Sequence, residues 1–151
     1  MIGNHRARFF FYGFNILFPL LCGLYLYLTL RSDAYITLFI SRFVSLPQFP
    51  YAFFPCWAID FLRNFASDML WAYSLGYAVV LVVGHSRNNL LFSLSLCMGF
   101  EVLVEVLQKT GVFHGTFDFL DILFEALSIS LALFLINMYE EAQNEKSSKG
   151  T

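Results

Sequence analysis

FFFYGFNILFPLLCGLYLYLTL, residues 9–30, is a run of 22 residues without a charge, and Arg6 and Arg8 stand just before it. At about 1.5 Å of helical rise per residue it reaches about 33 Å, enough to cross the ~30 Å hydrocarbon core of a bilayer. A secretory leader has a shorter apolar stretch, about 7–15 residues, and ends on small residues. This run ends on Leu28, Thr29, Leu30 and Arg31, so it is read as a membrane span.

The whole chain agrees with that reading. Of its 151 residues 58% are hydrophobic, 19% are aromatic and 13% are charged, against about 25% charged in an ordinary soluble domain. A soluble globule of this size has too small an interior to hide so much apolar surface. The net charge of -2 leaves no basic field for nucleic acid. Cys22, Cys56 and Cys97 stand far apart without C-x-x-C spacing and read as small hydrophobes rather than as a disulfide or zinc framework.

Beyond Arg31 the pattern changes. A short amphipathic stretch at 33–44 is followed by Pro47, Pro50 and Pro55 among Phe and Tyr residues. Helices do not survive such a proline density, and aromatic rings favour headgroup depth, so this segment is expected to lie at the membrane interface. A helical pattern resumes at Trp57, with Asp60, Arg63, Asn64 and Ser67 on one face and Trp57, Phe61 and Phe65 on another. Further spans are expected at about 65–84, 90–107 and 119–139. The fold class is therefore an all-α integral membrane protein with four transmembrane helices. It forms a single membrane domain, 1–139, with a polar and disordered tail at 140–151. Trp57 and Trp71 read as depth anchors, and Gly76, Gly84 and Gly99 as places of close helix approach.

Four spans put both termini on one side. Arg6, Arg8, Arg87, Lys146 and Lys149 share that side, and Arg31, Arg42, Arg63 and Lys109 the other. Arg6 and Arg8 flank the first span, and the positive-inside rule gives such charges most weight, so the termini are expected in the cytoplasm.

The acids are unevenly spread. Asp68 opens the second span, Glu101, Glu105 and Gln108 end the third at i, i+4, i+7, and Asp118, Asp121 and Glu125 open the fourth at i, i+3, i+7. Each set makes one helical stripe, and the four-span layout places all of them in one leaflet. Seven residues of rise put Glu101 and Glu125 both about 10 Å inside their helix ends. A carboxylate at mid-membrane costs about 2.5–3.5 kcal/mol on the lenient insertion scale. Cations nearby are few: Arg63, Lys109 and His114. Some carboxyls must then be protonated, share a proton, bind a metal ion or face a wet cavity. The competing reading is a polar network that only joins helices, but such glue normally uses Ser, Thr, Asn or Gln.

Glu101-x-x-x-Glu105-x-x-Gln108, a short Gly-containing loop, and then Gly115-Thr116-Phe117-Asp118-x-x-Asp121 together resemble the VanZ-like membrane proteins, as does Asp68-Met-Leu-Trp-Ala-Tyr-Ser-Leu in the earlier span. The resemblance covers residues 57–136. It implies a bacterial inner-membrane protein. The family is associated with glycopeptide antibiotic resistance but has no settled biochemical activity. The chain departs from the pattern at Glu125 and Ser128, where many relatives carry Asn and Gly. It also lacks the Arg common ahead of the first Asp, with His114 nearby instead, and the Lys or His usual beyond the position of Asp68. Resistance is accordingly not assigned to this chain.

The leading expectation is a protein without a defined catalytic activity, whose pocket of Arg63, Asp68, Glu101, Glu105, Gln108, Asp118, Asp121 and Glu125 engages a polar headgroup, an envelope lipid, a cationic ligand or a glycopeptide-type antibiotic. Arg63 would pair with an anion or an acid, and Gln108 would fix a carboxyl. A second expectation is an enzyme acting on a lipid-linked substrate through a divalent cation on Glu105, Asp118 and Asp121. A third is an ion- or proton-coupled transport subunit. No cofactor is evident beyond that divalent cation. Membrane lipids are the expected partners, and a homo-oligomer is left open.

Overall fold

The structure, a computed structural model, describes residues 2–31, 35–112 and 118–149. Every regular element among them is helical: α1 (Ile2–Leu30), α2 (Tyr35–Ile40), a 3-10 turn (Tyr51–Phe53), α3 (Cys56–Phe61), a π turn (Leu62–Ala66), α4 (Ser67–Val83), α5 (Arg87–Lys109) and α6 (Phe119–Lys149). Four stretches are long and apolar enough to cross a membrane: Arg6–Leu30, Cys56–Val83, Arg87–Lys109 and Phe119–Lys146, of 25, 28, 23 and 28 residues. The second starts well before residue 65, because the helical pattern from Trp57 runs through the π turn into α4 without a break.

Local chemistry explains the ends. Gly84 takes φ +88 and its N–H closes α4 on the Val80 carbonyl at 2.8 Å, a left-handed stop that a residue with a Cβ resists. Two residues later Ser86 caps α5, its hydroxyl accepting the Asn89 N–H at 3.1 Å. Asn89 Nδ2 then donates back to the Val83 carbonyl at 2.9 Å, which ties the two helices at their turn.

Helix α4 is the axis of the bundle, with α1, α5 and α6 packed around it. The core is small and set between these helices: Tyr12, Ala72, Tyr77, Val80, Cys97, Ile129, Ala132, Leu133 and Ile136. Phe9, Phe10, Leu17, Val82, Leu91 and Phe134 are among many large apolar side chains that face outward. That surface suits hydrocarbon as the surrounding solvent.

Close approach occurs at two glycines. A Cβ on Gly76 would meet the Ala132 Cβ at 3.1 Å, and one on Gly23 would meet the Trp71 indole at 2.6 Å and the Ser67 carbonyl oxygen at 3.1 Å. Gly99, expected to serve the same purpose, has nothing among the described residues within 4 Å of such a Cβ.

Two sets of contacts fix the relative directions of the helices. Arg8 and Tyr12 near the start of α1 meet Glu140 in the last part of α6. At the other end Arg31, just past α1, meets Asp68 in the first turn of α4, and Glu105 near the end of α5 meets Asp118 before α6. The four long helices therefore alternate in direction.

The tail expected at 140–151 is corrected as far as Lys149: α6 continues to that residue. Glu140 is buried against Arg8 and Tyr12, and Asn137 Nδ2 donates to Glu141 at 2.7 Å one turn along. Tertiary and i,i+4 contacts thus carry the helix past the apolar span. Between α2 and α3 the chain is turns and extended backbone around the 3-10 turn, with Phe49 buried against Tyr51 and Phe54, and Phe53 and Trp57 exposed.

Candidate functional site

The i, i+4 spacing on α5 puts Ser93, Cys97, Glu101 and Glu105 on its buried face, an interior stripe that turns from small to acidic toward the end of the helix. Helix α6 answers from the opposite direction with Asp121, Glu125 and Ser128, and α4 contributes Ser67 and Asp68. The carboxyls lie within Coulombic range of one another: Asp68 of Glu101, Glu105, Asp121 and Glu125, and Glu101 of Glu125. Glu105, Glu125 and Glu101 are only 3%, 7% and 9% exposed.

Donors are scarce. Glu105 Oε2 accepts the Asp118 backbone N–H at 3.2 Å, which staples α5 to the start of α6. Asp118 caps that helix, its Oδ1 accepting the Leu120 N–H at 2.9 Å. Ser67 donates its hydroxyl to Asp68 Oδ1 at 3.1 Å, and Arg31 Nη2 reaches Asp68 Oδ2 at 3.4 Å. Glu125 Oε2 is buried and has no hydrogen-bond partner among the described residues. An unpaired buried carboxyl oxygen is among the most expensive groups a protein keeps.

Arg31 is the site cation that the sequence reading left out of the pocket. Its Nε donates to the Arg63 carbonyl and its Nη2 to the Asn64 carbonyl, both at 3.1 Å, and its guanidinium lies 5.7 Å from the centre of the Tyr27 ring. The π turn of Leu62–Ala66 departs from the regular α ladder, and two of its carbonyls accept from this outside fork. The signal in the sequence was placement alone: Arg31 closes the first span at the membrane face where the acids of α4, the end of α5 and the start of α6 cluster.

The remaining expected site residues are placed as follows. Arg63 is exposed, and its carbonyl rather than its guanidinium takes part. Gln108 is half-buried at the end of α5, and its side chain bonds to no other described residue. His114, Gly115, Thr116 and Phe117 lie outside the described residues. Among the described residues no three His, Cys, Asp or Glu side chains are grouped to hold one metal ion; of the proposed set of Glu105, Asp118 and Asp121, the first two are joined by a backbone bond and Asp118 is spent as a cap.

The sequence reading also missed a second buried acid at the other end. Glu140 Oε1 accepts from Tyr12 OH at 2.9 Å and from Arg8 Nε at 2.8 Å. Beside it Tyr73 OH donates to Asn15 Oδ1 at 2.8 Å and lies 3.4 Å from Tyr77 OH.

The chain matches no protein-family model, no curated protein and no solved structure. Its own geometry carries the reading of the site: a cluster of buried carboxyls at one end of the bundle, rich in acceptors and poor in donors among the described residues.

Proposed function

We propose that this chain is a VanZ-like multi-pass protein of a bacterial inner membrane whose acidic chamber accepts a cationic group from one face of the bilayer. The observation that carries the reading is Glu125 Oε2, buried, without a donor among the described residues and within Coulombic range of Asp68, Glu101, Glu105 and Asp121. A group bearing both positive charge and N–H donors completes that arrangement, as an amine on a lipid headgroup or on an antibiotic does. The weight of Arg6 and Arg8 ahead of the first span supports termini in the cytoplasm, with the acidic end on the outer face. The proline and aromatic segment after α1 would then rest at the outer headgroups. A metal-dependent reaction draws no support from the described residues, among which no three His, Cys, Asp or Glu side chains are grouped on one point.

The test is a thermal-unfolding titration of the purified protein in detergent, with a diacyl lipid carrying a primary ammonium and no phosphate, and with diacylglycerol as the neutral control. The ammonium lipid should raise the midpoint of the wild type and leave Glu125→Gln unmoved. Equal responses to both lipids, or an undiminished response in Glu125→Gln, would sink the reading.

A further inference from the structure

We infer that the group the chamber receives is a zwitterion, a primary ammonium joined by a short linker to a phosphate, with the carboxyls holding the ammonium and Arg31 holding the phosphate. This is the chemistry of a phosphatidylethanolamine headgroup, and the inference rests on the cation-accepting reading given above.

Exposure separates two kinds of charge at this end of the bundle. The deep acids Glu105 and Glu125 are almost fully enclosed, whereas the side chains of Arg31 and Asp68 keep 34% and 31% of their surface. Their ion pair is long, 3.4 Å. Arg31 does not depend on it for its position, because two backbone carbonyls hold its fork and the Tyr27 ring lies beneath it. Those carbonyls are neutral and leave the charge of the guanidinium for an anion to meet. A fixed guanidinium at a membrane rim is suited to phosphate, which it matches in shape as well as charge.

Charge balance then selects the ligand. A simple cation entering the chamber competes with Arg31 for Asp68 and strips the guanidinium of its carboxylate. A simple anion reaching Arg31 is repelled by Asp68 and Asp121, both within Coulombic range of the guanidinium. A zwitterion exchanges partners with the ion pair: its ammonium replaces Arg31 among the acids, and its phosphate replaces Asp68 on Arg31. The bare Glu125 Oε2 further asks for an N–H donor. A primary ammonium supplies one and the quaternary ammonium of choline does not.

The surroundings favour a lipid as the source over a free headgroup. Leu103 and Val106 on the last turns of α5, and Phe119, Leu120 and Leu123 on the first turns of α6, are exposed on the flank of this same end. Acyl chains would lie against them.

The test extends the titration to phosphatidylethanolamine, phosphatidylcholine, phosphatidylglycerol, the phosphate-free ammonium lipid and soluble phosphoethanolamine. Phosphatidylethanolamine should bind about tenfold more tightly than the ammonium lipid or phosphatidylcholine, a factor fitting the loss of one charged hydrogen-bonded partner. Arg31→Gln should bring phosphatidylethanolamine down to the level of the ammonium lipid without weakening the latter, and Glu125→Gln should remove the response to the ammonium lipid and weaken phosphatidylethanolamine. Soluble phosphoethanolamine binding as well as the lipid would uphold the zwitterion and make the free headgroup its source. If Arg31→Gln does not fold, Arg31→Lys, which keeps the charge and loses the fork, should retain the preference in weaker form. Wild-type binding of the ammonium lipid without preference for phosphatidylethanolamine, or equal weakening of both lipids by Arg31→Gln, overturns the zwitterion and leaves the cation reading standing. Binding of neither lipid overturns both.

Discussion

The two ends of the bundle each bury a glutamate, and they treat it in opposite ways. At the end where α1 begins and α6 finishes, Glu140 is 7% exposed and one of its oxygens takes both a tyrosine hydroxyl and an arginine Nε. At the other end Glu125, also 7% exposed, has an oxygen with no donor among the described residues and four carboxyls within Coulombic range. Burial alone therefore does not mark a functional acid. What separates the two is the donor inventory: the first carboxyl is spent on holding helices together, and the second has an oxygen without a donor among the described residues.

The largest expected effect tests that contrast by sign. Glu140→Leu strands the Tyr12 hydroxyl and the Arg8 charge. Breaking a buried pair costs about 3–5 kcal/mol, and because the Arg8 side chain is 45% exposed, a loss of about 2–3 kcal/mol is expected after solvent screening. Glu125→Leu should move the other way, stabilising the inserted helix by about 2–3 kcal/mol, since it removes a membrane carboxyl, while abolishing the response to ammonium lipid. Unfolding midpoints in mixed micelles measure both. If both variants destabilise alike, the acidic end is structural glue and the chamber reading fails.

Much of this contrast was legible in the sequence at the acidic end and little of it at the other. Span length and absence of charge mark four helices with no knowledge of their packing, and helical spacing aligns Glu101 with Glu105 and Asp121 with Glu125. A short connection between two antiparallel spans then brings the stripes to one end. Glu140 escaped because it opens a run of polar residues that, read locally, looks like a tail. Its two partners are 128 and 132 positions away in sequence, and no periodicity reports a contact of that range. Arg31 was visible as a charge at the right membrane face, but its choice of Asp68 and the carbonyls of Arg63 and Asn64 depends on a π turn that leaves no recognisable residue pattern. Nor does spacing reveal which glycine is crowded, since Gly23 and Gly99 look alike in an apolar run.

The glycines supply the intermediate effect and sharpen what holds each end. Gly23 lets α1 approach α4 beside Ser67, the neighbour of Asp68, where an added methyl would meet the Trp71 indole and the Ser67 backbone. Backbone does not yield as a side chain does, so Gly23→Ala should cost about 1–3 kcal/mol. It should also weaken lipid binding, because it pushes on the segment that carries Asp68. Gly99→Ala, with open space around it, should be neutral or stabilising by up to about 1 kcal/mol through helix propensity. Equal effects at the two positions would show that the close approach of α1 and α4 does not hold the acidic end.

The smallest effect bears most directly on the Glu140 end. Tyr12→Phe removes only the hydroxyl; the ring keeps its edge-on packing against Tyr77, with centroids 5.8 Å apart, and Arg8 Nε stays 2.8 Å from Glu140 Oε1. One hydrogen bond to a carboxylate that retains another donor should be worth about 1 kcal/mol, read as a small drop in the same midpoint, with lipid binding at the far end untouched. A cost as large as that of Glu140→Leu would mean that Arg8 does not hold the carboxylate and that the tyrosine alone does. No cost at all would mean that the hydroxyl is not a donor to Glu140. That glutamate would then be nearly as short of partners as Glu125, and the difference between the two ends, on which the assignment of the chamber rests, would shrink to the single contribution of Arg8.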